Sequence, residues 1–211
     1  GRTRALAGCL EPALEDLLHR RVVAEVDVVG RHGESCVDRP IGETGVVGDR
    51  GHVYAIWPSF AAKYAEKGLP ALQARALANV TASVDGAAVT VPQPVDLVWT
   101  VENYHDIPND GRGEAAIAAF NAQVFKALKP GGTFLVVDHV APAGSGLSDT
   151  DTLHRIDPAI VKKQVLAAGF TFACESKALA NPKDDHSLKV FDPKIRGVTD
   201  QFVYKFRKPL K

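Results

Sequence analysis

The 211-residue chain has no methionine, only three cysteines and only two tryptophans, and its Lys plus Arg and Asp plus Glu are equal at 25 each. Each scarcity excludes something. A formal net charge of zero gives no basic field, so nothing favours nucleic acid as a partner. No apolar run approaches the length of a membrane span, and no signal peptide is visible at the start, so the expected location is the cytoplasm. The chain starts at Gly1 without an initiator. It is therefore expected to be a processed product or a piece of a longer chain, and an exported precursor stays open. Cys9, Cys36 and Cys174 are far apart and form no CxxC pair, so free thiols are expected rather than a disulfide framework or a zinc site. HExxH and GxGxxG are both missing.

What is present is an α/β pattern, of a length suited to one domain spanning 1–211. Val95 to Trp99 is a short apolar run that breaks into Glu102, Asn103, Tyr104, His105 and Asp106, as a buried strand does where it ends at a polar site. Ile117, Phe120, Val124 and Leu128 then recur at helical spacing, and Lys129, Pro130, Gly131 and Gly132 stop the helix. Phe134 to Val137 is a second buried run, closed by Asp138 and His139. Two strands joined by one helix form a βαβ unit, whose right-handed crossover sets both polar ends on one edge of the sheet. Ligands bind at that edge in open α/β sheets.

Other elements follow from the same signals. Leu6 to Leu18 suits an opening helix within an N-terminal segment, 1–20. Strands are expected at Val22 to Val29 and Val53 to Trp57, with weaker β segments at Asn79 to Val84, taken as the third strand, and at Ala87 to Val91. Ser59 to Ala78 reads as a helix interrupted at Gly68 and Pro70. Asp157 caps a helix that Pro158 opens and Gly169 ends, with Val161 and Val165 as its apolar stripe. Phe170 to Glu175 and Gln201 to Phe206 are the last strands. The segment between them is too short and Pro-rich for a crossover helix, so they should run antiparallel. Within it, 181–199 is a candidate lid, although Asp184, Asp185 and His186 read by default as a solvated loop.

The sequence ALKPGGTFLVVDH, after an apolar strand ending in a polar cluster, resembles the fourth and fifth strand region of class I S-adenosylmethionine-dependent methyltransferases. DLVWTVENYHD, VVDH, DTLHRID, VKKQVLAAGF and FDPKIRGVTDQFVYKFRKP resemble a bacterial group described as predicted methyltransferases. The resemblance runs from about Val47 to Pro209. It implies a Rossmann-like, doubly wound, mostly parallel seven-stranded sheet with an antiparallel C-terminal hairpin, and S-adenosylmethionine as cofactor.

The resemblance also implies where the cofactor contacts should lie. After strand one the family has a glycine-rich turn, which lets backbone approach the cofactor. Here GRHGESCVDRPIGETG follows, with Gly30 and Gly33 able to make a tight turn, and Asp27 near the strand end able to bind the cofactor amino group. Strand two ends in Ile56, Trp57 and Pro58 instead of an acidic residue. Trp57 could stack on adenine, against the reading of a core or rim aromatic. Asp85, before Gly86, matches the position of the adenine amino contact, against a turn aspartate. Residues 30–44 differ from their flanks, and a reading-frame error or true divergence with loss of cofactor binding would each account for that.

On the acceptor side Tyr104, His105 and His139 are the expected catalytic residues. A histidine titrating near neutrality is a natural general base, and Asp138 or Asp106 could orient it. His154 and Arg155 lie in the connection beyond. Mixed His and Asp ligands suit several divalent metals, but without a fixed-spacing motif no metal is assigned. The expected activity is methyl transfer to a small molecule. A non-catalytic relative that has lost cofactor binding is the second reading, and a nicotinamide-dependent oxidoreductase is a third, disfavoured by the missing GxGxxG. Oligomeric state is left open.

Overall fold

A computed structural model of the chain describes residues 21–25, 51–58, 61–85 and 89–211. The expected opening helix, Asp27 and Gly30 lie outside them, as do residues 30–44 and 86–88. Among the described residues seven strands form one sheet: β1 Arg21–Glu25, β2 His52–Pro58, β3 Val80–Asp85, β4 Val95–Val101, β5 Leu128–His139, β6 Thr171–Ser176 and β7 Gln201–Arg207, in spatial order β3-β2-β1-β4-β5-β7-β6. Strands β1 to β5 pair in parallel with their neighbours, whereas β7 runs antiparallel to both β5 and β6. The sheet is therefore mixed, with the antiparallel C-terminal pair that the short Pro-rich connection requires.

Alternation along β2 explains how both faces are covered. Ala55 and Trp57 pack with Ala61, Ala65 and Leu72, which places helix α1, Ala62–Ala74, on one face. Tyr54 and Ile56 point the other way, into the main core with Val98, Phe134 and Val136. That core also takes Ile117, Phe120 and Val124 from helix α2, Gly113–Ala127, and Val161 and Val165 from helix α3, Pro158–Ala167. Helices thus cover both faces, as period-two strands buried on each side demand.

Three local expectations change. Helix α1 is continuous through Gly68 and Pro70. Glu66 and Pro70 are both exposed, so the carbonyl that Pro70 leaves unpaired lies on the solvated side. Gly68 is a packing residue: a Cβ there would lie 2.7 Å from Cζ2 of Trp57. Leu128 belongs to β5, not to the helix, and pairs with Val95 before the register resumes at Leu97 and Thr133. Residues 89–91 form no strand. In addition, Cys174 takes part in a disulfide, so the reading of three free thiols does not hold for it.

Helix α3 begins as its sequence dictates. Asp157 Oδ1 accepts the Ala159 N–H at 2.8 Å, Pro158 occupies the first turn, and Gly169 follows the end at a φ of +98°. No described helix is long and apolar enough to cross a membrane.

Candidate active site at the rim of β4 and β5

The polar ends of β4 and β5 do meet. Glu102 leaves the strand at a φ of +56°, an uncommon backbone conformation for a residue other than glycine, and the chain then closes into a 3-10 turn, Tyr104–Asp106. This turn brings His105 against Asp138. The Asp138 carboxylate accepts the His105 backbone N–H at 2.8 Å, the His139 backbone N–H at 2.7 Å and His105 Nδ1 at 2.7 Å. An ionised carboxylate only accepts, so the proton shared with His105 sits on Nδ1 and Nε2 faces the other way. Asp138 is wholly buried, which makes this wiring short and rigid.

His105 Nε2 points at a second cluster. It lies 3.3 Å from His154 Nδ1 and 3.5 Å from Asp106 Oδ1, and His154 Nδ1 is 3.6 Å from the same oxygen. His154 is held there by its neighbours. Ile156 bridges to Val140, extending β5, and the fully buried Arg155 donates to Val140 O, Leu188 O and the Asp184 carboxylate. The backbone of His154 has a φ of +55°, so the two turns that build the cluster both contain a left-handed residue. Burial works against the charged form of His105, but Asp138, Asp106 and Glu102 more than offset it and hold the imidazole above its ordinary range. Burial alone would raise the Asp106 carboxyl, yet the hydrogen bond to His154 and the proximity of His105 bring it below.

His139 occupies a different position. It borders a cavity of about 630 Å³ together with Glu102, Phe191, Thr199, Gln201 and residues of the β6–β7 connection. His139 Nδ1 is 2.8 Å from Thr199 Oγ1, and Nε2 is 3.7 Å from the Glu102 carboxylate. Burial pushes this imidazole below its ordinary range, opposed in part by Glu102 and Asp138. Gln201 donates to Glu102 and so braces the carboxylate.

The expected site residues therefore separate. His105 and His139 share the rim, with ring centroids 6.0 Å apart, but only His139 lines the cavity. Tyr104 lies within the core. Its hydroxyl accepts from Asn121 Nδ2 at 2.8 Å and donates to Gln164 Oε1 at 3.4 Å, and burial pushes the phenol well above its usual range. Trp57 is wholly buried beneath α1, with no ring face open to a ligand, and its Nε1 has no hydrogen-bond partner among the described residues. Asp85 ends β3 opposite Pro58, at the same edge of the sheet.

Glu102 was read as part of the polar cluster after β4 but given no role, and Thr199 and Gln201 were not read as site residues. The signal for the last two was the antiparallel final strand, whose start must lie beside the end of β5. The observed register pairs Gln201 with His139. Asp184 differs from its expected solvated loop: its carboxylate is buried, 2.9 Å from Arg155 Nη2, and accepts the Asp200 backbone N–H at 2.7 Å.

The fold is that of solved structures of S-adenosylmethionine-dependent methyltransferases of class I. One from Aquifex aeolicus matches with a TM-score of 0.58 at 14% identity, over 93% of this chain and 88% of the other. The N-methyltransferase NodS from Bradyrhizobium japonicum WM9 matches with a TM-score of 0.58 at 10% identity, over 99% of this chain and 94% of NodS. The (4+2)-cyclase SpnF matches with a TM-score of 0.62 at 14% identity, over 98% of this chain and 80% of SpnF. No family model matches the chain, and no curated protein matches it. A cyclase among these neighbours shows that the fold serves more than one activity, so function must be argued from the site.

Proposed function

We propose that the chain is an S-adenosylmethionine-dependent methyltransferase acting on a small molecule held in the cavity beside β4 and β5. The observation that carries this reading is the position of His139 and Glu102: a histidine and a carboxylate, 3.7 Å apart, opening on one 630 Å³ cavity at the ligand-binding edge of a methyltransferase-like sheet.

The residues at the β4 edge fit a polar cofactor. Asn103 is fully buried, its Oδ1 takes the Thr100 hydroxyl, and its Nδ2 has no acceptor among the described residues. A bound group offering an acceptor would satisfy that donor, which otherwise costs about 1–3 kcal/mol. Asn103 and Asp85 are the described residues that would hold the cofactor, with Asp27 and Gly30 proposed as partners from the sequence. When bound, the cofactor supplies an electrophilic methyl group for in-line displacement.

The protein supplies position and a proton acceptor. If His139 Nδ1–H is donated to Thr199, Nε2 presents its lone pair to the cavity and can take the proton that a hydroxyl or amine loses as it is methylated. Glu102 then faces the imidazolium formed. The β6–β7 connection walls the cavity and holds an acceptor beside the reacting groups. His105 is a positioning residue in this scheme, since Asp138 ties its turn to the His139 backbone.

Calorimetric titration with S-adenosylmethionine and its demethylated product tests the reading. Binding of either is the expected result, and no heat at millimolar ligand would leave the non-catalytic alternative standing. Once an acceptor is found by screening hydroxyl and amine compounds, His139→Ala should slow transfer about 10²–10⁴-fold and leave cofactor affinity unchanged.

A further inference from the structure

The trio behind the cavity wall has a geometry that acid–base chemistry leaves unused. His105 Nε2, His154 Nδ1 and Asp106 Oδ1 stand 3.3, 3.5 and 3.6 Å from one another. Direct charge-assisted hydrogen bonds are shorter, about 2.7–2.9 Å. Asp106 Oδ1 only accepts, and a ring nitrogen either donates or accepts, so at most two of the three contacts can be hydrogen bonds whatever protons the imidazoles carry. Ligands about 2.0–2.1 Å from a tetrahedral zinc ion, in contrast, lie about 3.3–3.4 Å from each other. The observed triangle is close to one face of that tetrahedron.

We propose that His105 Nε2, His154 Nδ1 and Asp106 Oδ1 bind a divalent transition-metal ion of the zinc type. Two imidazoles and one carboxylate are the donor set such ions prefer. The second shell is in place: Asp138 holds His105 Nδ1 at 2.7 Å, fixing the tautomer that frees Nε2. His105 is almost fully buried, whereas His154 and Asp106 keep part of their side chains open to solvent, which gives the ion a way in. Three protein ligands leave a fourth position for water or another oxygen. The ion would tie the turn after β4 to the loop before α3, and the His154 ring packs against Phe191 of the cavity wall at 4.9 Å. This site does not depend on methyl transfer, and an inactive relative could keep it.

The test uses the whole chain, stripped with chelator and titrated with Zn²⁺ by calorimetry and with Co²⁺ by visible absorption. One equivalent of Zn²⁺ and the intense bands of tetrahedral cobalt are expected. His154→Ala should weaken Zn²⁺ binding at least about 100-fold, and Asp138→Asn about 10–100-fold, as loss of an outer-shell partner does. His186→Ala, which breaks a His–Asp pair outside the trio, should leave binding unchanged. Circular dichroism confirms that each variant folds, and the wild-type titration decides without them. No Zn²⁺ uptake by the wild-type chain, or undiminished uptake by folded His154→Ala, would overturn the assignment in favour of a hydrogen-bonded cluster.

Discussion

Asp138 and His139 are adjacent in sequence but face opposite tasks, because alternate residues of a strand point to opposite sides. Asp138 turns inward and collects three donors, while His139 turns to the cavity. The two histidines of this rim, His139 and His105, respond to pH with opposite sign. His139 has a folded pKa below its ordinary 6.5, so its contribution to stability is complete above that value and is lost as pH falls toward the folded value. In the metal-free chain His105 has a raised pKa, so its contribution is complete below 6.5 and is lost as pH rises through the folded value. His139→Gln removes the first effect and leaves the second. Between about pH 7.5 and about pH 5.5 the variant's urea midpoint should therefore fall less than the wild type's. An equal fall in both proteins would show that His139 is not held neutral by its surroundings.

At the scale of elements, helix α1 separates packing from propensity. Gly68 and Pro70 are both poor helix formers, and replacing either by alanine would help an isolated helix. In the folded chain the two should diverge. A Cβ at Gly68 meets Trp57 at 2.7 Å, so Gly68→Ala should destabilise by about 1–3 kcal/mol through overpacking. Pro70 is exposed, so Pro70→Ala should be neutral or stabilising by up to about 2 kcal/mol, having restored one helical hydrogen bond. Chemical denaturation of both variants checks the pair, and stabilisation by Gly68→Ala would refute the close contact. The β6–β7 connection gives a second case. Asp184→Ala strands the buried Arg155 guanidinium and should cost about 3–5 kcal/mol. These elements also mark what the sequence could disclose. β4, α2 and β5 were legible because their apolar periods are local, and the Asp157 cap was legible because it acts two residues away. The roles of Gly68, Tyr104 and Asp184 were not, since each is set by a partner distant in sequence: Trp57, Gln164 and Arg155. Of the site, the shared rim with Glu102 in its polar cluster could be read from the crossover rule, whereas Thr199 and Gln201 needed the register of β7.

For the molecule as a whole, the sheet order fixes where a ligand would have most effect. β1 has β2 on one side and β4 on the other, so the winding reverses between β1 and β4. On one side lie β2, β3 and α1, packed around Trp57 on one face while Tyr54 and Ile56 of β2 enter the main core on the other; beyond β4 lie the Asp138 network and the cavity. Open α/β sheets bind ligands in the crevice at such a reversal. A cofactor seated there would touch strand ends of both halves, and its binding free energy would add to the stability of the folded chain. At one hundred times its Kd a ligand that binds only the native state adds about 2.7 kcal/mol. For a domain of this size that corresponds to a rise in Tm of about 5–10 °C. Scanning calorimetry with the demethylated cofactor should show this rise in a single transition, because one ligand would couple both halves. Two transitions, of which only that of the β4–β7 half moves, would place the ligand in the cavity alone and remove β1 to β3 from the binding site.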